Sequence, residues 1–159
     1  MSNRRPVLIH ATAVALPIDE NWAGVLLRGP SGSGKSDLAL RLIDQGARLI
    51  ADDQIELWAT DGVLNLQAPA PIAGCMEVRG LGLVGVPTTE QATLVLVAEL
   101  VPATEIDRLP SPQTVTLAGV RVASMRLAPF EASATVKLRL ATRAAVTGTF
   151  GVLDKLAVS

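Results

Sequence analysis

Aromatic residues are nearly missing from this chain: two Trp, two Phe and no Tyr in 159 residues. So few rings cannot form the run of stacking surfaces on which single-stranded nucleic acid is held. The core must instead be built from aliphatic side chains. Cysteine is represented by Cys75 alone, so no internal disulfide forms and nothing points to an oxidising compartment. Between Gly74 and Met76, Cys75 is expected to be a small buried apolar residue. Excess charge is also lacking. A formal net charge of −1 gives no electrostatic case for DNA, RNA or an anionic membrane as partner. No apolar run approaches the ~20 residues that span a bilayer. The stretch from Thr93 to Val101 is short and carries Glu99, and His10 and Thr12 interrupt the N-terminal apolar run before it forms a signal-peptide h-region. A cytoplasmic protein is the expectation.

Apolar residues are plentiful, at 49% with a mean hydropathy of +0.39, which excludes a disordered chain. The length allows one domain with a real core. No internal repeat, low-complexity tract or linker divides it, so one domain over residues 1–159 is expected.

The most informative stretch is Gly29-Pro30-Ser31-Gly32-Ser33-Gly34-Lys35-Ser36, which fits the phosphate-loop pattern G-x-x-x-x-G-K-[ST]. A strand-like run, Gly24 to Arg28, leads in, and a helix-like run, Ser36 to Gln45, leads out. The glycines let backbone N–H groups converge on an oxyanion, and the following helix turns its positive end toward the same anion. Lys35 then neutralises the outer phosphates, and the Ser36 hydroxyl reaches Mg²⁺. A glycine turn that merely contains a lysine does not explain why strand, loop and helix come in this order.

Along the chain, Pro6 to Leu16 reads as a strand, Pro17 to Asn21 as a turn and Trp22 to Arg28 as the returning strand. Leu38, Ala39, Leu42 and Ile43 fall on one face of the helix after the loop, and Gly46 stands where a C-terminal cap belongs. Arg48 to Ala51 is a short strand ending in Asp52-Asp53. Ile55 to Ala59 and Val63 to Leu66 flank an Asp61-Gly62 turn. Ala68 to Pro71 is irregular, and Glu77 to Gly82 reads as a glycine-punctuated loop. Thr93 to Leu100 is a buried strand. Thr104 to Leu109 is a short helical turn, and Val115–Leu117 and Val120–Met125 form a hairpin about Gly119. Pro129 to Ala145 is a helix, with fraying from Gly148 onward.

Phosphoryl transfer needs a metal ligand, a group for the acceptor proton and charge stabilisation. Asp52-Asp53 ends a strand, where an α/β sheet opens onto its ligand crevice. Adjacent side chains on a strand diverge, so one aspartate can face the metal and the other the acceptor hydroxyl. A polar turn between two strands is the plain alternative. Glu77 offers oxygen ligation for Mg²⁺ and Arg79 offers charge for the transferring group, against the plainer reading of solvated loop charges. His10 sits among Val7, Leu8 and Ile9, where a lone histidine is more often a packed core residue than a neighbour of phosphate or catalytic carboxylate.

Taken together, these segments resemble the HPr kinase/phosphorylase family. The matching pieces are Leu8-Ile9-His10-Ala11-Thr12, then Gly24 to Leu40 through the phosphate loop, then Arg48 to Asp53, then Met76-Glu77-Val78-Arg79-Gly80-Leu81-Gly82, similar to an E-[IV]-R-G-L-G signature. The resemblance covers His10 to Val86 well and the remainder weakly. It implies an α/β fold, a phosphate-loop-containing mixed sheet flanked by helices, similar to the HPr kinase C-terminal domain and to phosphoenolpyruvate carboxykinase. It implies ATP and Mg²⁺ as cofactors and a seryl residue of HPr, or an HPr-like phosphocarrier of the phosphotransferase system, as acceptor. By resemblance His10 is the active-site histidine, Lys35 the phosphate-binding lysine and Ser36 a magnesium ligand. Asp53 is the carboxylate that takes the acceptor proton, Asp52 supports metal or water, Glu77 is a second magnesium ligand and Arg79 serves catalysis. A homo-oligomer is implied as well. The length resembles the short, C-terminal-domain-only form of some alphaproteobacteria. The family's later R-P-G-R stretch, tied to phosphorolysis, has no counterpart: Leu127-Ala128-Pro129-Phe130-Glu131 stands there, so the reverse reaction lacks its usual residues.

Two other readings stay open on sequence. A small-molecule kinase is allowed by the phosphate loop, although no arginine-rich lid is visible. A non-catalytic ATP-sensing module, with a sensor kinase as a further candidate partner, would not require Lys35, Ser36, Asp53 and Glu77 together.

Overall fold

The structure is a computed structural model and describes residues 5–69 and 74–149. The strands are β1 (Val7–Ile9), β2 (Thr12–Ile18), β3 (Asn21–Arg28), β4 (Arg48–Ala51), β5 (Ile55–Thr60), β6 (Val63–Gln67), β7 (Cys75–Val78), β8 (Gly82–Gly85), β9 (Gln91–Leu100), β10 (Gln113–Leu117) and β11 (Val120–Leu127). Helix α1 spans Lys35–Asp44 and α2 spans Ala134–Thr147; a 3-10 turn covers Ala103–Glu105.

The large sheet runs β1-β5-β6-β9-β3-β2-β4, and β9 has a further neighbour in β11, which carries β10. Strand β9 is the hub. It pairs parallel to β3 along most of its length, antiparallel to β6 through Gln91–Thr93 and parallel to β11 through Leu96–Leu100. Strands β3, β9 and β11 thus point the same way, and their C-terminal ends share one edge. The sheet is mixed, as expected, and both helices pack on one face.

Alternation along the strands separates two cores. Val14, Val25, Leu27, Leu96, Ala98 and Leu127 pack with Leu38 and Leu42 of α1 and Leu138 of α2. Ala13, Leu26 and Val97 point the other way and meet Ile55, Leu57, Leu64 and Leu66, as β5 and β6 curl over the opposite face. The four apolar positions expected of α1 are all buried. Gly46, at φ 108°, follows the helix where its cap belongs.

Four sequence expectations need correction. The first strand is broken at His10–Ala11, because β1 pairs with β5 whereas β2 pairs with β3 and β4. The turn after β2 is tighter than Pro17–Asn21: Asp19 takes φ 55°, and Pro17 stays in the strand opposite Trp22, beyond the part of β2 that pairs with β4. There its missing N–H leaves no ladder bond to β4 unmade. Glu77–Gly82 is a hairpin rather than a loop: β7 and β8 pair from Cys75↔Gly85 to Val78↔Gly82, closed by Leu81 N–H donating to Val78 O (3.0 Å). Helix α2 begins at Ala134, not Pro129, and Gly148 at φ 75° caps its end. Cys75 is half-buried on β7. Ala70 and Pro71, and the stretch from residue 150 onward, lie outside the described residues.

The segment that leaves the β7–β8 hairpin runs beside β4. Leu49 N–H donates to Pro87 O (2.9 Å), Thr89 N–H donates to Leu49 O (3.0 Å), and Met76 is buried in the helix-side core.

Candidate active site

Strand β3 ends at Arg28 and runs directly into Gly29–Ser36. Two glycines in that loop cannot be replaced without displacement. A Cβ on Gly29 would lie 2.5 Å from Ser33 Oγ. Gly34 has φ 99°, and a Cβ there would lie 2.9 Å from Phe130 Cζ. Gly34 is the N-cap of α1, and no side chain caps the helix. The first amide hydrogens therefore remain available to an anion.

Lys35 is buried, and its Nζ donates to Gly29 O (2.7 Å) and Pro30 O (3.0 Å). Its positive charge is held against the loop's own backbone. Ser33 Oγ is buried and has no hydrogen-bond partner, an unmet donor inside the loop. Beneath the loop, Arg28 and Glu99 are cross-strand neighbours and form an ion pair through Arg28 Nε (2.8 Å) and Nη2. They tie the ends of β3 and β9 together. Beside it, Arg41 bridges α1 and the segment after β11: its Nε donates to Asp37 Oδ2 (3.1 Å) and its Nη2 to Pro129 O.

The two aspartates part company. Asp52 Oδ1 accepts from Thr12 Oγ1 (2.8 Å) and from Ser36 Oγ (2.9 Å), with Ser36 also 3.1 Å from Oδ2. Asp53 takes φ 76°, an uncommon conformation for a residue with a Cβ. Its carbonyl accepts from Ala11 N–H (3.1 Å), and its Oδ1 lies 3.4 Å from His10 Nδ1. Both side chains are open to solvent, 59% exposed for His10 and 72% for Asp53. His10 is thus not the packed core residue that strand composition favours; the break between β1 and β2 turns it out toward Asp53.

The structure therefore gathers His10, Lys35, Ser36, Asp52 and Asp53 around one loop. Ser36 Oγ and the Asp52 carboxylate form a pair of hard oxygen donors suited to Mg²⁺, and they already touch each other. Glu77 and Arg79 stand apart on the β7–β8 hairpin, both exposed. Among the described residues no cluster of three or more His, Cys, Asp or Glu groups exists, so Glu77 does not join the aspartates here. Two cavities, of about 300 Å³ and about 330 Å³, lie elsewhere and include no residue of the phosphate loop.

Residues 9–139 match the HPr serine kinase C-terminal domain. The chain belongs to that family. Among its relatives, the HPr kinase/phosphorylase of Clostridium novyi is 44% identical over 70 residues, which is 44% of this chain and 23% of that protein. The HPr kinase/phosphorylase of Clostridium kluyveri is 48% identical over 69 residues, 43% of this chain and 22% of that protein. The matched part is thus under a quarter of each relative's length. Among solved structures, the Hpr(Ser) kinase/phosphatase from Coxiella burnetii superposes with a TM-score of 0.70 at 27% identity, covering 89% of both chains. The mixed sheet with its flanking helices is accordingly an HPr-kinase fold.

Three features of this family member escaped the sequence reading. Thr12 was visible only as the end of the histidine-bearing strand, yet it is fully buried and fixes Asp52. The Arg28–Glu99 pair joins positions 71 apart in sequence. Phe130 is brought against Gly34 by a segment that no local pattern connects to the loop.

Proposed function

We propose that this chain is an ATP- and Mg²⁺-dependent serine kinase acting on HPr or an HPr-like phosphocarrier. One observation carries the reading: adjacent aspartates have opposite surroundings. Asp52 is tied to Ser36 at the phosphate loop, and Asp53 is turned outward by a positive φ toward His10. Backbone strain of this kind concentrates where geometry serves chemistry.

Lys35 and the amides of Gly29 to Ser36, with Pro30, Ser31, Gly32, Ser33 and Gly34 between, hold the phosphates. Ser36 and Asp52 would hold Mg²⁺, and Glu77, apart on the hairpin in this structure, would be the second carboxylate ligand that the family resemblance implies. When bound, the ion offsets negative charge on the β- and γ-phosphoryl oxygens. Asp53 takes the seryl proton as the seryl oxygen bonds to the γ-phosphorus and the bond from that phosphorus to the bridging oxygen breaks, so that ADP departs. His10 orients Asp53, and Arg79 stabilises charge on the transferring group. Residues 1–159 act as one catalytic unit in the cytoplasm, the compartment expected from the composition, as the homo-oligomer that the family resemblance implies.

A protein acceptor is favoured over a metabolite because Asp53 and His10 are open to solvent. Small-molecule sites enclose most of their ligand. The replacement of the R-P-G-R stretch by Leu127–Glu131 favours the forward direction.

Asp53→Asn tests the mechanism. Nucleotide affinity by calorimetry should stay within about twofold, while phosphate incorporation into HPr should fall by about 10²–10⁴-fold, the usual range for a lost general base. Undiminished transfer removes Asp53 from that role. Incubation with ATP and a metabolite panel, read by mass spectrometry, should label none of the metabolites while HPr gains a seryl phosphate.

A further inference from the structure

We infer that Phe130 is the nucleobase-side wall of the site: its ring stacks on the base of the bound nucleotide and so selects a nucleoside triphosphate over a bare polyphosphate. The inference rests on the phosphate-loop reading and deepens it.

A single exposed apolar side chain needs no explanation in itself. Phe130 differs in where it stands and in how firmly it is placed. It is 71% exposed, in a chain with almost no rings to spare. Trp58 is buried, and Trp22 lies under the Arg48 guanidinium, 4.3 Å from the ring centroid. The Phe130 ring meets the loop along one edge. A Cβ on Gly34 would lie 2.9 Å from Cζ and 3.1 Å from Cε1, so only the missing side chain of Gly34 lets the ring come so close. The rest of the ring faces solvent at the entrance to α1.

The segment that carries it is anchored on both sides. Leu127, Ala128 and Pro129 are buried. Arg41 of α1 donates to Pro129 O, and Lys137 Nζ pairs with Glu131 Oε1 at 3.0 Å. The backbone on either side of Phe130 is thus fixed while the ring stays open.

Position supplies the ligand. Asp52, Asp53 and His10 gather on the β4 side of the loop, where the outer phosphate must lie to meet the acceptor. Phe130 comes from the β11 side of the same loop. A nucleotide with its γ-phosphoryl group at Asp53 therefore has its nucleoside end directed away from β4. An aromatic face there suits a nucleobase, since stacking tolerates any base and adds affinity without hydrogen-bond readout.

The test compares ATP with inorganic tripolyphosphate, which has the phosphates and no base. By calorimetry on the full chain with Mg²⁺, Phe130→Ala should weaken ATP about tenfold and leave tripolyphosphate within about twofold. Phe130→Leu, similar in bulk without a π face, should behave like Phe130→Ala, and Phe130→Trp should restore ATP affinity and show quenched indole fluorescence on binding. Equal losses for both ligands would make the ring a packing element of the loop and overturn the inference, as would unchanged ATP affinity. Failure of the unsubstituted protein to bind either ligand would instead overturn the phosphate-loop reading beneath it, so the two failures are distinguishable.

Discussion

In the phosphate loop Lys35 is buried against two backbone carbonyls and Ser36 is bonded to an Asp52 that Thr12 holds from below. In the β7–β8 hairpin Glu77 and Arg79 are exposed, and neither side chain takes part in a hydrogen bond or ion pair among the described residues. Both regions carry charged groups assigned to one reaction. Their difference is one of preparation. The loop's geometry is stored in the fold, through parallel strands that end together and a buried threonine under a carboxylate. The hairpin's geometry is stored only as far as its backbone and Met76, and no side-chain contact holds its two charged groups in place.

The sharpest way to break this contrast is Lys35→Ala. A buried ammonium that already sits among loop carbonyls is replaced by a methyl, and the phosphates lose their nearest positive charge. Nucleotide affinity should fall by about 10²–10³-fold, the scale found when a preorganised electrostatic partner is removed, with transfer lost alongside. Calorimetry with ATP checks it, and an affinity within threefold of the parent would show that the loop is not the phosphate site.

The next test addresses the hairpin. Glu77→Gln and Arg79→Ala remove exposed groups, so the melting temperature should stay within about a degree, surface changes costing under ~0.5 kcal/mol. For Arg79→Ala, ATP affinity without the carrier should change little, whereas turnover with HPr should fall by about 10–100-fold, in line with loss of a group needed only when charge is moving. For Glu77→Gln, turnover should fall by about as much at limiting Mg²⁺ and recover in part as Mg²⁺ is raised, as loss of one oxygen ligand requires. A large drop in thermal stability would contradict the exposure of these side chains and make the hairpin a structural brace.

Much of the loop region was legible in the sequence because its information is local. The G-x-x-x-x-G-K-[ST] run lies between a strand and a helix, and the bounds of β4 and the apolar face of α1 follow from neighbouring residues. What sequence missed is long-range. His10 looks like a strand interior until β1 and β2 are seen to have different partners, so its exposure could not be read from Val7, Leu8 and Ile9. The Glu77–Gly82 stretch looks like a loop because glycine is frequent in loops. Gly80 and Gly82, at φ 91° and 96°, instead turn the chain back on itself and let β8 pair with β7. The late start of α2 leaves Pro129 outside the helix, where its carbonyl accepts from Arg41, 88 positions away.

A smaller effect is expected at Gly34→Ala. The positive φ and the close Phe130 ring both oppose a Cβ, and the combined cost should be about 1–3 kcal/mol. That corresponds to a fall of a few degrees in melting temperature for a chain of this size. In the double variant Gly34→Ala/Phe130→Ala the steric part should be recovered and the φ part kept, which separates the two causes.

The finest test is Thr12→Val, nearly isosteric and fully buried. It deletes the one hydroxyl that holds Asp52 Oδ1 from inside the sheet, while Ser36 still donates to the same carboxylate. A buried hydrogen bond to a charged acceptor contributes about 1.5–3 kcal/mol, and less where a second donor remains. A stability loss near ~1 kcal/mol is therefore expected. Functionally, the contact matters only through where it keeps the Asp52 oxygens. Mg²⁺ dependence of transfer should shift to higher concentration by a few-fold, whereas ATP binding measured without Mg²⁺ should not move. If both shift together, Thr12 supports the loop as a whole. If only the Mg²⁺ dependence shifts, the preparation that sets the loop apart from the hairpin reaches down to a single buried hydroxyl under the metal ligand.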